Sequence, residues 1–170
     1  MLTIPPIRTL AIAPGTKHLG FACFEGSELT RFGVKTLEGR KIEKKLIAHA
    51  DKSLKRLMEK NQPHTLAIMD VFYAQRRLNP LFGKLISALK RQGRTAGIRV
   101  VSYKPTIVKE RLCERKRTRQ GLAESMVNRY WVLQGFLNRR SAQHYWRQMF
   151  DAVGVGTLAA GGDQKSRAHL

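Results

Sequence analysis

The sequence predicts an α/β protein: a mixed five-stranded sheet flanked by helices. Three observations predict it. Three short strand-like runs come first, joined by tight turns. A helix with one apolar stripe, a buried strand, a second helix and a last strand follow. The remainder reads as helix.

Ile7 to Ala13 is a short, nearly continuous apolar run and reads as a central strand. Leu19 to Glu25 and Leu29 to Thr36 are the next two strands, and Gly26-Ser27 between them marks a hairpin turn. Strands one and two are close enough in sequence to pair antiparallel across Pro14 to His18. Arg40 to Lys60 is a long helix. Ile42, Leu46, Ala50, Leu54, Leu57 and Met58 recur at spacings of three and four and form its apolar stripe, and Asn61-Gln62-Pro63 ends it. Thr65 to Phe72 is a buried strand with one acid inside it. Asn79-Pro80 starts a helix through Leu81, Leu85, Ile86 and Leu89 that closes near Gly93, and Ile98 to Tyr103 is the last strand. Pro105 to Cys113, Leu122 to Leu137 and roughly Ala142 to Ala160 are helical. Residues 1–160 are expected to form one domain, and the small, polar residues 161–170 a loose tail.

The hydrophobic fraction of 42% is ordinary, but the charge is not: 32 Lys+Arg stand against 12 Asp+Glu, a net +20 at pH 7. Solubility does not require that excess, and a polyanionic partner does explain it; nucleic acid is the usual one. Cys23 and Cys113 are too few and too distant for a disulfide framework or a zinc site, which fits a reducing, cytoplasmic setting. No apolar run reaches the ~18 residues of a membrane span, and the first residues do not read as a secretory signal.

Four local patterns narrow the reading. Ala11-Ile12-Ala13-Pro14-Gly15 runs through a short polar turn into Gly20-Phe21. Ala67-Ile68-Met69-Asp70-Val71-Phe72-Tyr73-Ala74 follows on the fourth strand. Tyr103-Lys104-Pro105 with Val108-Lys109 makes a strand-to-helix junction, and Phe150-Asp151-Ala152-Val153-Gly154-Val155-Gly156 lies on the last helix. In this order and spacing they resemble the motifs of the RuvC-like Holliday junction resolvases, a branch of the RNase H-like fold, from Ile7 to about Ala160.

That resemblance implies two-metal phosphodiester hydrolysis, in which two Mg²⁺ ions ~3.5–4 Å apart are held by about four convergent acids. Carried over position by position, the acid set is depleted. Ala13 stands where the first-strand Asp belongs, and Met69 falls at the fourth-strand Glu. Asp70 comes one residue later and reaches the site only if a bulge turns it there, since neighbouring strand residues face opposite sides. Asp151 matches the last Asp, but Gln148 occupies its partner acid's position. Asp70 and Asp151 are therefore the candidate catalytic and metal-binding residues, with His144 as a helper that polarises phosphate. On a helix, Arg147 shares a face with Asp151 and can supply charge that a metal would otherwise bring. The plainer readings are that Asp151 simply pairs with Arg147 or caps local structure, and that His144 is an ordinary surface or core histidine. An Ala at one catalytic position is also what an experimenter installs; three losses together point to a naturally degenerate site.

Four basic regions are candidate nucleic-acid contacts. The long helix carries eight cations, Arg40, Lys41, Lys44, Lys45, Lys52, Lys55, Arg56 and Lys60, which also suit a solvated face. Lys104, Lys109, Arg111, Arg115, Lys116, Arg117 and Arg119 form the strongest run and match the family's substrate-facing stretch. Arg139, Arg140 and Arg147 surround the start of the last helix. Arg76 and Arg77 follow the fourth strand beside Phe72 and Tyr73, which suit stacking on an unpaired base, although Phe72 also fits a core. Tyr130, Trp131, Tyr145 and Trp146 read as core or dimer-interface residues.

Three functions follow as expectations. The first is a structure-selective protein that binds branched DNA with an inactive site, as a homodimer or in a larger nucleoprotein complex. The second is a working or experimentally inactivated Mg²⁺-dependent junction endonuclease. The third is an RNA-binding factor on the same scaffold, since basic charge alone does not separate DNA from RNA.

Overall fold

A computed structural model describes residues 3–37, 42–70, 79–137 and 143–161, apart from the side chains of Gln143 and His144. Five strands form one mixed sheet: β1 (Arg8–Pro14), β2 (His18–Glu25), β3 (Glu28–Thr36), β4 (Thr65–Met69) and β5 (Arg99–Tyr103), in the order β3-β2-β1-β4-β5. β1 pairs antiparallel with β2, Ala13 facing Gly20, and β2 antiparallel with β3. β1 and β4 run parallel, as do β4 and β5, so both crossovers pass through helices. Gly26 turns the β2–β3 hairpin with φ +59.

Six helices lie among the described residues: α1 (Glu43–Asn61), α2 (Pro80–Thr95), α3 (Pro105–Leu112), α4 (Arg119–Arg129), a single turn α5 (Gln134–Leu137) and α6 (Gln143–Ala159). Their ends follow local chemistry. Gln62 ends α1 in the left-handed region, with Pro63 behind it. Asn79 accepts from the Leu81 amide and Pro80 takes the first position of α2. Pro105 opens α3, and Thr118 Oγ1 caps α4 by accepting from the Gly121 amide at 3.0 Å.

Strand alternation divides the core into two layers. Leu10, Ile12, Leu66 and Ile68 face α1 and α2, packed with Leu46, Leu54, Leu85 and Leu89. Ala11, Ala13, Ala67 and Met69 face α3, α4 and α6, packed with Val108, Leu122, Met149 and Val153. The second layer is built on small residues for a steric reason. A Cβ at Gly20 would overlap the backbone carbonyl of Gln148, and one at Gly156 would overlap the Phe24 ring. The last helix therefore sits directly on β1 and β2.

Two expectations are corrected. The helix expected over Leu122–Leu137 is interrupted: α4 stops at Arg129, Tyr130 is extended, and a 3₁₀ turn over Trp131–Leu133 leads into α5. Tyr130 leaves the helix because its ring packs edge-on to Phe24 and its hydroxyl pairs with Thr157 Oγ1 at 2.9 Å. The same break pushes Trp131 outward, 76% exposed, so it is not a core residue. The fourth strand ends at Met69, and the expected continuation through Val71 and Phe72 lies outside the described residues, as do Arg40 and Lys41.

Gly83, inside α2, has open space where a Cβ would stand. Gly83→Ala is expected to raise stability by about 0.5–1 kcal/mol, read as a higher urea midpoint with an unchanged slope.

Candidate functional site

The four positions that carry the metal ligands in the resemblance face one layer of the core. Ala13 and Met69 come from the ends of β1 and β4, and Gln148 and Asp151 from one face of α6. Ala13 and Met69 both belong to the α6 side of the sheet. Gln148 lies over the β1–β2 turn, where a Cβ on Gly15 would stand 2.7 Å from its amide nitrogen. Asp151 sits one turn further along and is 6% exposed.

Asp151 is held by a cation from another helix. Arg119, the first residue of α4, donates through Nη2 at 2.6 Å and Nε at 3.1 Å to Asp151 Oδ2, and Nη2 also reaches Gln148 Oε1 at 3.5 Å. The Thr118 cap fixes that first turn. Gly121 lets the turn close on the Lys116 carbonyl, which a Cβ would overlap. Burial pushes the Asp151 carboxyl above the usual carboxylate range. The charge and hydrogen bonds of Arg119 pull it back, with smaller pulls from Lys109 and Arg147.

This arrangement corrects the expected partner. Arg147 has the right helical spacing to Asp151, yet it is exposed, and Arg119 makes the contact. Arg119 is thus turned inward from the basic run, with its side chain 40% exposed. No sequence pattern signals a pair 32 residues apart, and Arg119 reads only as one cation of the basic run.

Asp70 is not brought to Asp151. It continues the alternation of Leu66 and Ile68 toward α2, and its Oδ2 lies 3.5 Å from Lys90 Nζ on that helix. The Asp70 amide is tied to the Tyr103 carbonyl at 2.8 Å, so no bulge rotates it across the sheet. Among the described residues, no three His, Cys, Asp or Glu gather as metal ligands.

The remaining candidates differ in exposure. Lys104 stands exposed at the start of α3, Lys109 is half-buried, and Arg111 is exposed. Arg115, Lys116 and Arg117 are exposed in the turn before α4. His144 lies in the first turn of α6, with its side chain outside the described residues. Arg76, Arg77, Arg139 and Arg140 also lie outside them. No described helix is long and apolar enough to cross a membrane.

No family model and no curated protein matches the chain. Solved structures do. Thermus thermophilus RuvC in complex with a Holliday junction substrate superposes with TM-score 0.67 at 21% identity, over 92% of this chain and 94% of that one. A fowlpox virus resolvase, solved with its substrate Holliday junction DNA, gives 0.61 at 12% identity, over 92% and 98%. The yeast mitochondrial Holliday junction resolvase gives 0.57 at 14% identity, over 94% and 79%. The chain has the RNase H-like, RuvC-like fold of these resolvases, as the motifs implied.

Proposed function

We propose that this chain is a structure-selective protein that holds branched DNA without cutting it by two-metal chemistry. The Arg119–Asp151 pair carries the proposal. Two Mg²⁺ ions need about four convergent oxygen ligands. The matching positions here hold an Ala, a Met, a Gln and one carboxylate already bound to a guanidinium. A divalent ion placed there would meet a fixed positive charge in a poorly hydrated site, where like charges repel strongly. The donor set does not fit the metals.

Binding is supported by the net charge of +20 and by the exposed cations on α3 and in the turn before α4. Lys104, Arg111, Arg115, Lys116 and Arg117 would contact phosphates, fixing position rather than reading bases. A twofold pair of chains would match the symmetry of a four-way junction.

The test sets a binding assay beside a cleavage assay on four-way junctions, with Mg²⁺ or Mn²⁺. Tight junction binding without nicking is expected, and Ala13→Asp alone is not expected to create cleavage, because Met69 and Gln148 remain. Metal-dependent nicking that is lost in Asp151→Asn would overturn the proposal. Changing Arg115, Lys116 and Arg117 together to Gln is expected to flatten the slope of log affinity against log salt by about 2 to 3. An unchanged slope would remove that turn from the interface.

A further inference from the structure

A cavity of 310 Å³ opens on the outer side of Arg119, between α4, α5 and α6. That volume is at the lower edge of small-ligand sites, about 300–1,000 Å³. Its walls have two characters. Phe136, Trp146 and Phe150 supply aromatic surface, while Arg119 and Arg147 supply two guanidinium groups, with Thr118 at the rim. The division follows from α6. Trp146 and Phe150 are four residues apart on one stripe, and Arg147 and Asp151 four apart on the next.

The aromatic wall is pre-arranged. Phe136 and Trp146 meet edge-to-face with centroids 4.6 Å apart, and Phe136 is backed by Phe32 at 5.6 Å. Trp146 is backed in turn by Tyr145 at 4.7 Å. These rings hold one another while keeping surface toward the cavity. The indole Nε1 of Trp146 is buried with no hydrogen-bond partner among the described residues, an uncommon state for a tryptophan. On the charged wall, Asp151 neutralises one of the two guanidinium groups and Arg147 stays exposed. The cavity therefore keeps a net positive charge next to flat apolar surface.

We propose that this cavity receives one unpaired deoxynucleotide, its base against the Phe136–Trp146 wall and its phosphate on Arg147 and the outer face of Arg119. The inference rests on the reading of the chain as a branched-DNA-binding protein and names what it takes from that substrate. Aromatic faces bind any base by stacking, and a guanidinium pairs with phosphate oxygens in a fork. A fully paired strand presents neither an open base face nor a base free to leave the helix. The cavity thus selects junctions with an unpaired nucleotide over perfectly paired ones.

The test uses Trp131→Phe, which changes an exposed residue outside the cavity and leaves Trp146 as the only tryptophan. A short oligothymidylate is expected to quench Trp146 fluorescence saturably. A four-way junction with one unpaired nucleotide at its centre is expected to bind about tenfold more tightly than the fully paired junction. An abasic residue at that position, or Phe136→Ala, should abolish the preference and leave affinity for the paired junction within about twofold. Arg147→Gln, an exposed change that does not threaten folding, should weaken oligothymidylate binding by a similar factor. Equal affinity for the two junctions, or no quenching, would overturn the proposal, and so would oligouridylate binding more tightly than oligothymidylate. If the paired junction is not bound at all, the branched-DNA reading fails, while quenching by oligothymidylate still decides the cavity's role.

Discussion

Arg119→Ala is expected to lower unfolding stability by about 3 kcal/mol near pH 7.5 and by much less near pH 4. The asymmetry comes from what each partner leaves behind. Asp151 is nearly inaccessible, so removing the guanidinium strands a carboxylate without its counter-charge. Breaking a buried pair from one side costs about 3–5 kcal/mol, and the lower end applies because Arg119 itself is 40% exposed and partly screened. Burial already raises the Asp151 carboxyl in the folded state above its unfolded value of about 3.9. A carboxyl raised by folding adds stability that is full below the unfolded value and is lost as pH rises through the folded one. Without Arg119 the folded value climbs further, so the variant falls behind its parent as pH rises. Urea midpoints at the two pH values measure this. A loss of the same size at both would show that Arg119 acts through packing rather than charge. Adding Asp151→Asn to Arg119→Ala should recover most of the loss at pH 7.5, because no buried charge then remains.

Gly20→Ala is expected to cost about 3 kcal/mol or more, among the larger effects of any single methyl addition here. The new Cβ would collide with backbone of α6 at Gln148 and Met149, and backbone cannot rotate away as a side-chain tip can. Gly20 pairs with Ala13 across β1 and β2, so the sheet cannot give either without disturbing its ladder. The helix must lift, and it carries both Gln148 and Asp151. Thermal melting should show a much lower midpoint, and junction affinity should fall with it. A variant that melts like its parent would mean that α6 does not seat on β2 as described. Gly83→Ala is the control, since the same methyl enters open space there.

The sheet was legible in the sequence because its signals are local. Buried apolar runs, the Gly26 turn, Asn79-Pro80 and Pro105 each mark a boundary within a few residues. The side of Asp70 was legible for the same reason: alternation puts it opposite Met69, and no bulge intervenes. The break at Tyr130 was not legible. It depends on Thr157, which lies 27 residues away and becomes a neighbour only once α6 is seated. The choice of Arg119 over Arg147 escaped for a similar reason, because helical spacing sees only the nearer cation. Asp151 is read from its motif onto the last helix, where it lies, while its partner is set by how α4 meets α6.

The cation beside Asp151 is part of the chain. A metal site has a dissociation constant, and its charge comes and goes with supply, chelators and competing ions. A guanidinium on a side chain has none of these dependencies. The positive charge over the last helix is therefore inherited with the sequence and present from the moment the chain folds. Whatever ions surround the folded protein, this charge stays at its place beside Asp151.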